Sequence, residues 1–467
     1  MSKEYKQNDD PETLRPVASR AGEVLEDTTT HDEVFGDITE NSPNYRNIGW
    51  MGTVVLMMKT QIGLGVLSIP AVFDVLGIIP GVIILCIIGA ITSWSDYIVG
   101  VFKLKHRHVY GIDDVGQMLL GRVGREILGT AFCLYFIFGA GSAMISVSIA
   151  LNALSTHAVC TAVFVAVAAI LGFLFASIRT LGRISWLAWV GTTCIIVAVI
   201  TVTISVSQQS RPDAAPKGVP WKSDYKLVAH PSFTDAISAC GALVFAYAGT
   251  PAFFNIVAEM RDPKEYTKAL IVCQTLISII YISIGIVVYY YCGSYVSSPA
   301  LGSAGPLLKK ICYGIALPGL CCSLILMLHL SSKFVFIRLL RGSKHLTSNS
   351  LIHWGTWLGS TFAAALIAYL IASGIPVFGT LISLIGALFG TLLSFQPMGG
   401  MWLYDNWKKG RQNPSLGWRI GVAWSIFVIV SGTFLMVAGT YSTIVGIIAS
   451  AKDAGKPWAC ADNSGST

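Results

Sequence analysis

Charge is what this sequence lacks most. Only 12% of its 467 residues are Asp, Glu, Lys or Arg, about half the share in an average soluble domain. A chain of this length could not cover a water-facing surface with so few, so soluble architectures are excluded. Metal-site patterning is missing too. The eleven cysteines show no CxxC and no alternation with histidine, which leaves buried structural thiols. Cys292, Cys312 and Cys460, in or near external loops, are the candidates for one disulfide. There is no HExxH, no DDxxD, no paired His/Asp cluster and no thiol in a polar setting, which argues against a membrane-embedded enzyme and against any cofactor. The chain has no N-x-[ST] sequon with an allowed middle residue. Its first 47 residues carry no apolar h-region, so no signal peptide is expected, and the first hydrophobic segment should remain as a signal anchor.

What is present is apolar, 54% of the chain, gathered in blocks of about 20 residues, the length that crosses a hydrocarbon core. Backbone polar groups in lipid must pair within their own segment, so the blocks read as helices. They fall at about 50–73, 78–101, 127–151, 158–177, 186–206, 233–258, 268–291, 311–336, 355–373, 377–403 and 419–447. The expectation is therefore an all-α membrane protein of eleven transmembrane helices in a lipid bilayer. The net charge of +7 is uneven: eleven of the twenty-five acids lie in residues 1–47. The bases crowd the alternate short loops, with Lys103, Lys105, Arg107, Arg179, Arg183, Arg261, Lys264, Arg338, Arg341, Lys408 and Arg411 on one side. This is a topogenic pattern and not a nucleic-acid patch. It puts the N-terminus in the cytoplasm and, with an odd number of spans, the C-terminus outside. Three regions follow: a disordered acidic cytoplasmic tail (1–47), a membrane core (48–450) and a short extracellular tail (451–467). Lys3 and Lys6 in the first tail are candidates for ubiquitin attachment through a ligase adaptor. The long external loop at about 207–231 is expected to have no core of its own. The GxxxG spacings at Gly77/Gly81 and Gly386/Gly390 read as close helix packing.

Two segments are interrupted at mid-membrane depth. The first reads Lys59-Thr60-Gln61-Ile62-Gly63-Leu64-Gly65-Val66-Leu67-Ser68-Ile69-Pro70, and the sixth reads Val244-Phe245-Ala246-Tyr247-Ala248-Gly249-Thr250-Pro251. They lie five segments apart, in equivalent places of two sets of five, the pattern of a transporter site. Unwinding frees backbone groups that hydrocarbon cannot satisfy. The half-helix beginning near Gly65 offers N–H groups and a positive dipole end to a carboxylate. Carbonyls near Thr60, Gln61, Phe245 and Ala246 suit an ammonium. A zwitterionic α-amino acid satisfies both sets.

Ionisable residues inside spans come next, because each is costly unless paired or functional. Lys59 lies one turn before the first break and reads either as a cap on loose carbonyls or as an ion-coupling group. His329, deep in the eighth segment, is a satisfied interior histidine or a proton relay. Glu259 is expected to pair with Arg261 or another cytoplasmic base and close the inner gate. Asp74, Asp96, Asp235, Lys333 and Asp405 read as interfacial, with snorkelling a sufficient explanation.

At these residues the chain resembles the amino acid/auxin permease family, and within it the fungal neutral amino acid permeases of the methyltryptophan-resistance type. The resemblance rests on residues 59–70, which look like the G-x-G-[IV]-L-x-[IL]-P signature, on Phe245-Ala246-Tyr247 and Glu259-Met260, and on the eleven-span plan. It covers about residues 48–447. It implies a five-plus-five inverted repeat like that of sodium-coupled leucine-type transporters, with the eleventh helix outside the repeats. By position, Gly63, Leu64, Gly65 and Val66 would offer amides to the substrate carboxylate. Thr60 and the carbonyls of Phe245 and Ala246 would receive the amino group, and Tyr247 would border the side-chain pocket. Sodium-coupled relatives carry asparagine at the place of Lys59 and a hydroxyl near the place of His329. A lysine there would occupy the cation site, which implies coupling to protons. The pocket candidates Val244, Tyr247, Thr250, Tyr135 and Phe138 favour neutral, bulky or aromatic amino acids. The resemblance favours import across the plasma membrane. The vacuolar membrane, with export or exchange, and a sensor built on a transporter frame are the alternatives. A channel is disfavoured by the lack of a re-entrant filter sequence.

Overall fold

The computed structural model describes residues 30–32, 36–38, 48–178, 181–212, 214–216, 220–343, 345–346, 350–375, 377–453, 458 and 460–465. The chain divides after Asn44 into two units. In the first, β1 (Thr30–Asp32) and β2 (Gly36–Ile38) pair antiparallel, with Thr30 opposite Ile38. The remainder of the tail expected to be disordered, Lys3 and Lys6 included, lies outside the described residues.

The second unit is helical. In chain order it contains α1 (Trp50–Gln61), α2 (Ile69–Leu76), α3 (Ile78–Lys105), α4 (Ile112–Ser155), α5 (Thr161–Ala176), α6 (Leu181–Gln208), α7 (Phe233–Tyr247) and α8 (Thr250–Ala258). There follow α9 (Tyr266–Cys292), α10 (Pro306–Leu340), α11 (Leu351–Gly374), α12 (Phe378–Leu384), α13 (Thr391–Ser394), α14 (Gln396–Gln412) and α15 (Leu416–Asp453). Among the described residues ten stretches are long and apolar enough to cross a membrane, and α5 is a shorter apolar helix. The pair α1–α2 makes one stretch and α7–α8 another, each 89% buried in its most apolar window, against 17% for α15. The two broken stretches therefore sit in the middle of the bundle. The outermost helices turn Ile83, Ile87, Val430 and Phe434 outward, as a protein does when its solvent is lipid.

The breaks follow from local chemistry. Helix α1 stops at Gln61, before Gly63 and Gly65, and a short 3₁₀ turn (Val66–Ser68) leads into α2, whose Pro70 lies in the first turn. A proline is tolerated there because the first N–H groups of a helix have no intrahelical acceptor. Helix α7 ends before Gly249, and α8 again carries a proline, Pro251, in its first turn. The corner from α2 to α3 turns on Gly77, at φ +86°, where an added Cβ would come within 2.6 Å of the Ala229 nitrogen. The Gly386/Gly390 pair lies in and at the end of a π-turn (Ile385–Gly390) that links α12 to α13. Gly386 presses on the Gly241 carbonyl and Gly390 on Val244, so this GxxxG does serve packing, against α7.

The described part of the loop between α6 and α7 is strapped down. Ile78 and Ile79 donate to the carbonyls of Lys226 and Leu227 (3.1 and 2.9 Å), and the Lys226 N–H donates to the Tyr289 hydroxyl at 3.0 Å. Asp224 accepts from the Ser294 N–H (2.8 Å) and hydroxyl (2.6 Å). Slight burial pushes its carboxyl up, but these hydrogen bonds and Lys226 outweigh that and hold it below the usual carboxylate range. The contribution of a depressed carboxylate is lost only as pH falls through its folded value. The strap is thus intact at pH 5, where uptake is to be measured.

Cysteine pairing departs from expectation. Cys460 is joined to Cys160, whereas Cys292 and Cys312 are free and buried. The described part of the C-terminal tail folds back on the helix ends beside that bond. Thr161 donates to the Ala461 carbonyl (2.7 Å), Asn152 donates to Asn463 (2.7 Å), and Lys309 donates to the Gly465 carbonyl (3.0 Å). Cys160 precedes α5 in an apolar run, and nothing near it in the sequence marks a partner 300 residues away.

Candidate functional site

The two breaks face each other. A Cβ added at Gly65 would lie 2.6 Å from the Ala246 Cα, and one at Gly249 would lie 2.8 Å from Thr60 Oγ1 and 2.9 Å from Gln61 Nε2. Real Cβ contacts do not come closer than 3.0 Å, so Gly65 is required by backbone approach, while Gly249 is hemmed in by side-chain ends. Within the first break, Ile62 donates to Met58 and Gly63 to Gln61 (2.5 and 3.0 Å). Among the described residues the N–H groups of Leu64, Gly65 and Val66 receive no backbone acceptor. Both polar atoms of the Gln61 amide are likewise buried without a partner. A buried donor or acceptor left unpaired costs about 1–3 kcal/mol, so such a cluster marks a place built for a polar ligand.

Several loose carbonyls are occupied by tyrosines. The Tyr281 hydroxyl, on α9, reaches both the Gln61 carbonyl (2.9 Å) and the Ala246 carbonyl (2.8 Å). Tyr135, on α4, donates to the Ala248 carbonyl at 2.5 Å. One phenolic proton cannot fully serve two acceptors, and the Gln61 carbonyl also accepts from the Gly63 N–H, so Tyr281 clasps the two breaks while leaving acceptor capacity at Ala246. Tyr281→Phe is expected to lower uptake about tenfold, the effect of losing a buried hydrogen bond near 1.4 kcal/mol. Tyr247→Phe serves as the control in the same uptake assay and should stay close to wild type.

A small cavity lies beside the breaks, with room for the centre of about one water molecule. Lys59, Thr60, Ala248 and Ala252 line it from the broken stretches, Tyr135 and Phe136 from α4, and Ser323, Leu326 and Met327 from α10. Lys59 is fully enclosed, 2% exposed. Its ammonium donates to the Gly319 carbonyl (3.0 Å) and the Ser323 hydroxyl (2.7 Å), tying the end of α1 to α10. Gly191 leaves no slack around it, since a Cβ there would come within 3.1 Å of Lys59 Cε.

The other expected site residues fall as follows. Thr60 lines the cavity but bonds its hydroxyl to the Met57 carbonyl (2.7 Å). Gly63 abuts Ser323, and Leu64 and Val66 are buried at the break. The Phe245 ring tilts against Tyr135 and its carbonyl accepts from Ala248. Tyr247 does not border the cavity: its ring packs on Tyr281 and its hydroxyl meets Ser278 at 2.9 Å. Val244, Thr250 and Phe138 also face elsewhere, and the apolar wall comes instead from Phe136, Leu326 and Met327. His329 is six residues past Ser323 on α10, hence turned about 240° from it. Its ring rests on Trp357, with Nδ1 3.4 Å from the Ala176 carbonyl, so it is an interior histidine away from Lys59.

Glu259 pairs with Lys333 of α10 at 2.9 Å, both nearly buried, and not with Arg261. The same end is closed by the chain: Ile48 donates to the Glu259 carbonyl and accepts from the Arg261 N–H. Asp96 is 0% exposed and Lys333 is held by Glu259, so neither side chain reaches out into solvent.

Comparisons with known proteins give the family and the fold. Residues 46–445 match the sequence model of a family described as transmembrane amino acid transporter protein. The chain is 34% identical to a transmembrane transporter of Gibberella moniliformis, over 93% of this chain and 91% of the relative. It is 31% identical to the N amino acid transport system protein of Neurospora crassa, over 90% of both. A Na+-coupled sialic acid symporter, solved in a substrate-bound outward-open state, shares the fold at a TM-score of 0.54 and 14% identity, covering 86% of this chain and 91% of that one.

Proposed function

Since the chain belongs to the transmembrane amino acid transporter family, we propose that it is a secondary active symporter that imports neutral, bulky or aromatic amino acids together with protons across the plasma membrane. It is a transporter, not an enzyme. The observation that carries the reading is the facing pair of breaks, with unpaired amides at Leu64, Gly65 and Val66 on one side and a half-served carbonyl at Ala246 on the other. A carboxylate suits the amides and an ammonium suits the carbonyl. Apart from Lys59, whose ammonium is held by Gly319 and Ser323, the walls of Tyr135, Phe136, Leu326 and Met327 carry no charge that would recognise an ionic side chain, which favours neutral substrates. The small cavity is then a closed-down form of the site, which must widen to admit substrate.

Lys59 supports proton over sodium coupling. Its ammonium already fills the place between α1 and α10 where a metal cation would join the same acceptors. The Cys160–Cys460 bond supports eleven spans in a five-plus-five plan. From one cysteine to the other the chain runs through α5, α6, α7–α8, α9, α10, α11, α12–α14 and α15. Both cysteines must lie on one face, so the number of crossings is even, and that holds only when α5 crosses too. Disulfides persist on the oxidising side, which agrees with an external C-terminus and a cytoplasmic N-terminus.

The test is uptake of labelled phenylalanine and leucine in cells stripped of their own permeases, at pH 5 and pH 7.5, with and without sodium. Saturable uptake, stronger at pH 5 and indifferent to sodium, is the expected result. Uptake that follows sodium and ignores pH would overturn the coupling, and none at all from surface-expressed protein would overturn the substrate class.

A further inference from the structure

We propose that Asp96 is the site at which the transported proton rides. The inference rests on the proton-symport reading and gives that reading a carrier. If Lys59 is a fixed cation, donating to Gly319 and Ser323, the proton that moves with substrate needs another group. Asp96 lies nine residues before the end of α3, about 13 Å from it along the axis, and is wholly enclosed. Gln274 of α9 donates to its Oδ2 at 2.6 Å, and the Tyr266 hydroxyl donates to its backbone carbonyl at 2.9 Å. Its Oδ1 makes no close hydrogen bond, and the buried Thr250 hydroxyl, likewise without one, faces the carboxyl from the first turn of α8 near enough to interact with it.

No ion pair reaches this carboxyl among the described residues. Tyr266 and Cys273 of α9 are the titratable groups facing it. On its own helix, Lys103 spends its ammonium on the carbonyls of Phe254 and Tyr110. Tyr247 of α7 packs on Gly89, about 10 Å back along α3. Asp74 of α2 interacts with Asp224 and Lys226 of the external loop. Asp405 of α14 pairs with Lys105 and His106 at the end of α3, and Glu259 pairs with Lys333. A bare carboxylate buried in apolar surroundings without a counter-cation is strongly disfavoured. A neutral carboxylic acid is not, and it gains a donor that can reach an acceptor such as Thr250.

The placement links the proton to the substrate. Thr250 opens the half-helix whose Ala252, with the preceding Ala248, lines the cavity. The start of that half-helix carries a positive dipole end. Any rotation of α8 that reshapes the cavity therefore changes what faces Asp96. With the acid protonated the closed arrangement is stable; with α8 displaced toward water the proton can leave.

The experiment uses full-length protein in vesicles. Asp96→Asn is expected to lose phenylalanine-evoked proton influx and pH-driven accumulation while keeping exchange of internal for external phenylalanine. Asp96→Glu, which keeps an acid, is expected to retain proton influx. In purified wild-type protein the infrared stretch of a buried protonated carboxyl should be present at neutral pH and missing from D96N. An exchange-competent D96N protein with wild-type proton influx would overturn the assignment alone, as would the absence of that band from wild type. Wild-type vesicles that exchange no amino acid would overturn the substrate reading, and this assignment with it.

Discussion

Replacing Lys59 by alanine is expected to cut saturable amino acid uptake about 100-fold at pH 5. The ammonium makes two hydrogen bonds, to Gly319 and Ser323, each worth about 1.5–3 kcal/mol when the donor is charged. Losing about 3 kcal/mol from the arrangement that handles substrate corresponds to about two powers of ten in rate. Arginine should not rescue, because Gly191 closes on the Lys59 stem and a planar fork cannot replace a compact ammonium there. The measurement is initial uptake normalised to surface protein. A Lys59→Ala protein with wild-type uptake and pH profile would remove Lys59 from the mechanism.

Adding one methyl group at Gly65 is expected to reduce uptake by about 10- to 100-fold. The new Cβ would lie 2.6 Å from the Ala246 Cα, with backbone on both sides, so the two breaks must separate. Overpacking of this kind costs about 1–3 kcal/mol, and here it falls where the carboxylate and ammonium groups are to be received. Gly446→Ala is the control, since nothing lies within 4 Å of its added Cβ. Transport by Gly446→Ala should match wild type under the same conditions.

How far the sequence carries can be judged from particular residues. The breaks at Gly63–Gly65 and Gly249 were legible because glycine and proline act locally, whatever surrounds them. Lys59 was legible because a charge in an apolar run is costly wherever it lands. Tyr247 was not. It precedes a break where the helical period ends, so its direction cannot be counted from its neighbours. Asp96 was read as a snorkelling residue because burial inside the bundle is not written in one segment. Its companions Gln274 and Thr250 come from two other helices, and only packing unites them. Tyr281 carried no signal either, being one tyrosine among several on α9 until its hydroxyl is seen across both breaks. Leu326 and Met327, ordinary in an apolar span, became cavity walls only through the pitch of α10.

Helix α8 is nine residues long, a stiff rod of about 13 Å. One end holds Thr250 beside Asp96, its flank supplies Ala252 to the cavity, and the residue that caps its other end is Glu259, latched to Lys333. A tilt of only about 10° about its middle would swing each tip by about 1 Å, within the range of about 1–2 Å that repacks helix interfaces. Such a rod is a rocker arm. Whatever lifts it at the cavity must work the proton seat and the latch in the same stroke, so leakage of one cargo without the other is resisted by the rigidity of a single short part.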